Sequence, residues 1–214
     1  MITWLSEQFA AGGPFMIAIL LCSLAGAAIA AERFRVLSSA SSVKKNELIS
    51  HINAQIMQGN LDKAISIASQ IKNPLTNIVA AGLVAFANNK DEEAIQTAMD
   101  AVALKEIPMI ERRIGLLATI SNMSTLFGLL GTVTGLIGAF AAVGQITDAN
   151  AKAQMLTTAI AEAMNTTAFG LIVAIPLLGI FGWMSSWAAD IVDGVHESSV
   201  QTLNFVITNK DKLK

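Results

Sequence analysis

The chain has 214 residues, 53% hydrophobic and only 14% charged, which is far more apolar than an ordinary soluble domain. Its net charge of −2 argues against a nucleic-acid partner, and its lone cysteine, Cys22, excludes a disulfide or cysteine–metal framework. Charge is absent from residues 8–31, 114–147 and 163–189, and each run reaches the roughly 20 residues needed to cross a hydrocarbon core.

In chain order, 1–13 reads as an N-terminus outside the cytoplasm and 14–31 as a first transmembrane helix. Ala28-Ile29-Ala30 looks like a signal-peptide cleavage site, but no Lys or Arg precedes the apolar run. Arg33 and Arg35 follow it at once, as a stop on the cytoplasmic side does. Segment 32–113 holds ten of the fourteen Lys and Arg residues, with Arg33, Arg35, Lys44 and Lys45 on one flank and Arg112 and Arg113 on the other. The positive-inside rule places this segment and the C-terminus in the cytoplasm, with a short turn at 146–155 outside. Residues 43–58, 61–71 and 74–87 read as short helices, punctuated by Gly59-Asn60, Asn73-Pro74 and Asn88-Asn89. Asp91 opens another helix, with Glu92 and Glu93 where acids suit the dipole; it is expected to run past Pro108 into the second span, 114–145. The third span, 156–187, carries Pro176 as a kink and Trp183 and Trp187 as interfacial anchors, and 188–214 continues as a cytoplasmic helix. His51 and His196 have no partner at ligand spacing, and no nucleophile–base set can be assembled, so neither an enzyme nor a cofactor site is expected.

The second span contains "NMSTLFGLLGTVTGLIGAFAAVGQ", residues 122–145, with Gly128, Gly131 and Gly135 at three- and four-residue steps. No Gly-Lys-Ser/Thr follows, so this is not a phosphate loop. In lipid, helices gain no hydrophobic attraction for each other, and small residues permit close backbone approach. The stripe therefore reads as a helix-packing face, expected to support an oligomer. The third span reads "TTAIAEAMNTTAFGLIVAIPLLGIFGW", placing Thr158, Glu162, Asn165 and Thr166 on one helical face. A carboxylate in a membrane helix costs about 2.5 kcal/mol or more unless it faces water or a partner. With a turn centred near residue 150, Thr132 lies eighteen residues before it and Thr167 seventeen after. Equal helical rise puts both at one depth, with Glu162 nearer the outer mouth, level with Ile137.

"LFGLLGTVTGLIGAF" followed by "AIAEAMNTTAFGLIVAIPLL", with "GGPFMIAILL" and "AERFRVL" earlier, resembles the ExbB/TolQ/MotA family of proton-channel motor subunits, nearest its three-span ExbB/TolQ branch. One departure is Ser124-Thr125-Leu126, where the family often carries proline. The resemblance implies an all-α inner-membrane protein whose long helices extend into a cytoplasmic helical domain, and a homopentamer around a central pore. It also implies a partner, an ExbD/TolR-like single-span protein carrying a membrane Asp, and a TonB/TolA-like transducer beyond it. By motif match, Thr132, Glu162 and Thr167 would line the pore, with Thr158, Asn165 and Thr166 as further polar candidates. The implied function is conversion of proton motive force into mechanical work on envelope proteins. Two other readings compete. A small secondary transporter would call for internal repeats and discontinuous helices, and a passive membrane scaffold would leave Glu162 without a role.

Overall fold

The computed structural model describes residues 13–42, 45–71 and 73–209, apart from the Asn46 side chain. Segment 1–12, Lys44 and Lys72, which carried part of the topology reading, lie outside the described residues, as does 210–214 of the C-terminal helix. Every regular element described is an α-helix: α1 (Pro14–Ser41), α2 (Lys45–Met57), α3 (Leu61–Gln70), α4 (Pro74–Ala87), α5 (Glu92–Glu111), α6 (Ile114–Val143) and α7 (Ala149–Thr208). Three of the runs, in α1, α5–α6 and α7, are long and apolar enough to cross a membrane, so the described residues have the make-up of an all-helical membrane protein.

The short helices start and stop where local chemistry directs. Asn73 caps α4 by accepting from Leu75 N at 3.1 Å, while its own N–H donates to Thr76 Oγ1 at 3.1 Å. The same Asn73 amide donates to Ala40 O at 2.8 Å, tying the start of α4 to the end of α1. Asp91 accepts from Ala94 N at 3.0 Å to open α5, and Gly59, at φ +75°, turns the chain out of α2.

Two expectations need correction. The helix opened at Asp91 does pass Pro108, but it does not run unbroken into the second span. It ends at Glu111, and α6 starts afresh at Ile114. Arg113 lies between them at φ +65°, a left-handed conformation costing a non-glycine residue about 1–2 kcal/mol. Its guanidinium donates to both Glu32 carboxylate oxygens, at 2.9 and 3.1 Å, an exposed pair that offsets only part of that cost. The second correction concerns the turn. The chain between α6 and α7 spans only 144–148, because Asp148 accepts from Ala151 N at 2.8 Å and starts α7 early.

The chain divides into two compact units. One takes the described residues up to Glu32 with Arg113–Trp183; the other takes Arg33–Arg112 with the described residues from Met184 onward. The second unit has a core of large apolar side chains, among them Leu48, Ile52 and Ile56 of α2 and Leu75, Ile78 and Leu83 of α4. Arg33 is buried there at 5% exposure, donating to Arg112 O at 2.9 Å and Met109 O at 3.3 Å, carbonyls left over at the end of α5. The sequence reading saw only a topological charge in it. Trp187 meets Phe34 edge-on at 5.8 Å. In the first unit, α1 buries Met16, Ile19, Cys22 and Gly26 along one side. Gly26 lies against Leu177, and Pro14 and Phe15 share a depression with Glu162, so α1 runs beside α7 in the same direction.

Candidate functional site: the α6–α7 hairpin

The site is built on the seam between α6 and α7. Past Ile114 and Leu117, the buried face of α6 is Ser121, Ser124, Gly128 and Gly131 at three- to four-residue steps, continued by half-buried Gly135 and buried Ala139. Its counterpart on α7 is Ala163, Thr166, Gly170 and Ala174, also buried. A methyl group added at Gly128 would lie 3.1 Å from Thr167 Cα, and one at Gly135 would lie 2.9 Å from Ala163 Cβ. One at Gly131 would overlap the Thr166 methyl. At Gly170 it would meet the carbonyl oxygen of Ser124 at 2.7 Å and Gly128 Cα at 3.2 Å. Gly128, Gly131, Gly135 and Gly170 therefore let the two helices of the hairpin approach each other closely within one chain. Gly170 was missed, although Ala163, Thr166, Gly170 and Ala174 repeat the small-residue spacing that flagged α6.

Hydroxyls stitch the same seam. Ser121 Oγ donates to Ala174 O at 2.7 Å, close to the place where Pro176 removes a helical donor. Thr132 and Thr167 meet hydroxyl to hydroxyl, as equal counting from the turn required. Thr167 Oγ1 donates to Gly128 O at 2.9 Å, and Thr132 Oγ1 lies 3.2 Å from Gly128 O and 3.3 Å from Ala163 O. Each hydroxyl has one proton and two lone pairs, so the pair can exchange which donates to the other.

That register holds although the turn is not where it was expected. Thr132 lies eleven residues before the end of α6 and Thr167 eighteen after the start of α7, about 16 and 27 Å of helix. The start of α7 thus stands about 10 Å beyond the end of α6, and 144–148 climbs that difference.

Glu162 lies on the open side of α7 and is exposed, as is Thr158 one turn before it. The Thr158 hydroxyl donates to Gln154 O at 3.1 Å. Asn165 is half-buried and Thr166 buried at 1%. The four residues grouped on one face thus split: Thr158 and Glu162 look outward, while Thr166 turns into the seam against Gly131. Among the described residues no group of three or more His, Cys, Asp or Glu could hold a metal ion.

With this geometry in hand, comparison with known proteins is decisive. The model of the MotA/TolQ/ExbB proton channel family matches residues 70–197, which include the whole hairpin seam. The chain belongs to that family. It is 29% identical over 189 residues to an ExbB homolog from Methanothermobacter thermautotrophicus, named as a biopolymer transport protein. The match covers 88% of this chain and 66% of the relative, so the chain spans slightly less than two thirds of the length of the relative it matches. The family is one of proton channels.

Proposed function

We propose that the chain is the pore-forming subunit of a proton-driven membrane motor, a homopentamer that works with an ExbD/TolR-like single-span partner. The observation that carries this reading is the outward-facing Glu162 on a hairpin whose neighbouring hydroxyls, Thr132 and Thr167, meet inside a charge-free span. Among the hydrophobic seams of this unit, a carboxylate left on an open face is an expense that a passive scaffold has no reason to bear. Five subunits bring five Glu162 carboxylates round one axis. The second carboxylate of the relay, absent from the spans of this chain, comes from the partner's helix. Each proton crossing about 100 mV supplies roughly 2.3 kcal/mol, enough to bias a rotation or rocking step of one ring against another. The work is delivered to an envelope protein of the TonB/TolA kind. In this reading the N-terminus and the 144–148 turn face the periplasm, and α2–α5 face the cytoplasm of a bacterial inner membrane.

Co-purification with the candidate partner, followed by native mass measurement, tests the assembly. A mass of five copies with partner helices bound is expected. A monomer, or an oligomer indifferent to the partner, would overturn it and favour the secondary-transporter reading.

A further inference from the structure

Glu162 is shared by two depressions in the surface of the membrane unit. The first, about 470 Å³, runs along α7 past Gln154 and Thr158 to Glu162. The second, about 350 Å³, continues from Glu162 between α1 and α6, where Phe15, Thr134 and Gly135 line it and Thr166 lies at its inner edge. Ala159 and Glu162 belong to both, so the two make one furrow with the carboxylate at its neck. From Gln154 to Thr166 the furrow follows about 18 Å of helix. Either part has room for several waters, each needing about 30 Å³.

The lining has a definite polarity. Thr158 commits its hydroxyl proton to Gln154 O at 3.1 Å, and Thr134 commits its own to Leu130 O at 2.9 Å. What these hydroxyls have left for the furrow is lone pairs, beside a carboxylate that also only accepts when ionised; the Gln154 amide can turn either its oxygen or its N–H groups to it. Such a surface suits a hydrated monovalent cation or hydronium and opposes an anion. Phe15, half-buried, is the aromatic wall of the inner part and takes no part in the outer one.

We propose that each subunit carries its own water-filled cation furrow, leading along Gln154 and Thr158 to Glu162 and on past Phe15 to Thr134. It runs along the edge of the seam, sharing Gly131, Gly135, Ala163 and Thr166 with it, and includes neither Thr132 nor Thr167. The proposal rests on the proton-channel reading for its purpose, but not for its test, which reads access and needs no driven work.

In a Cys22→Ser background, single cysteines at Gln154, Thr158 and Thr134 are compared with one at Met164, which is exposed on α7 but outside the furrow. The assembled protein, in membrane fragments open on both faces, is treated with a cationic or an anionic methanethiosulfonate reagent. The three furrow cysteines are expected to react about tenfold faster with the cationic reagent than with the anionic one, a preference that Glu162→Gln removes. Phe15→Trp should slow labelling at Thr134→Cys and leave Gln154→Cys unchanged. Labelling of Thr134→Cys no faster than Met164→Cys, or equal rates for both reagents, would overturn the furrow. A conducting complex with an unreactive furrow overturns this proposal alone, and a reactive furrow in a complex that moves no protons overturns the channel reading alone.

Discussion

In the unit holding α2–α5, burial falls on large side chains: Ile52, Ile56, Leu75, Ile78 and Leu83 are each at most 2% exposed. In the membrane unit, α6 buries Ile114 and Leu117 at its start, but from Ser121 on its buried face is serine, glycine and alanine, with Leu126, Leu129, Val133 and Ile137 turned outward. The inversion is the one that water around the first and lipid around the second would produce. In water, hiding a Leu or Ile side chain is worth about 1.5–3 kcal/mol, so bulk goes inside. In lipid that gain vanishes, and dispersion between closely approaching backbones with a few hydrogen bonds must serve instead. One chain thus follows two packing rules, and each can be broken separately.

The largest effect is expected from truncating the water-type core. Ile78→Ala, at 1% exposure, should cost about 2–5 kcal/mol and expose α2–α5 to limited proteolysis while the membrane hairpin stays resistant. Enlarging the lipid-type seam comes next. Gly170→Ala forces a methyl onto the Ser124 carbonyl, and with backbone on both sides nothing flexible can yield; about 1–3 kcal/mol is expected as a lowered thermal midpoint in detergent. Gly138→Ala is its control, because nothing lies within 4 Å of the added carbon, so the midpoint should hold or rise slightly. If both glycines tolerate alanine equally, the seam is not what holds the hairpin.

Adjacent residues on α1 sharpen the contrast further. Arg33→Met removes buried charged hydrogen bonds to the end of α5 and should cost about 1.5–3 kcal/mol. Glu32→Gln breaks an ion pair whose side chains are 42–43% exposed, so less than about 1 kcal/mol is expected, shrinking with salt. The smallest loss, the Gly138 control aside, belongs to Thr167→Val. Hydrogen bonds between membrane helices average about 0.6 kcal/mol, so the thermal midpoint should barely move although a Gly128 contact is lost. A large drop there would mean the hydroxyl pair braces the hairpin and does not serve the ion path.

Much of this was legible in the sequence because the deciding signals are local. Charge-free runs marked the three spans, Asn73-Pro74 and Asp91 marked helix starts, and symmetric counting brought Thr132 to Thr167. The count succeeded for a partly wrong reason: the turn is shorter and α7 starts further out, and the two errors offset each other. What stayed hidden depends on contacts distant in sequence. The break at Arg113, whose side chain meets Glu32 some eighty residues away on α1, has no local marker, and Pro108, the residue that looked like a breaker, sits inside a helix. Arg33 read as a positive-inside charge because nothing nearby shows that it will be buried. The outward turn of Glu162 and Thr158 away from Thr166 required the seam to be known first, since all three share a helical face by spacing.

The central claim is that the open carboxylate of the hairpin handles protons, and one measurement addresses it most directly. The chain and its partner are reconstituted into vesicles under an imposed potential, and proton uptake is followed with a dye inside. Glu162→Gln, which keeps size and hydrogen bonding but cannot ionise, should assemble normally and lose nearly all uptake. Uptake undiminished in that variant, from a complex of unchanged mass, would contradict the account.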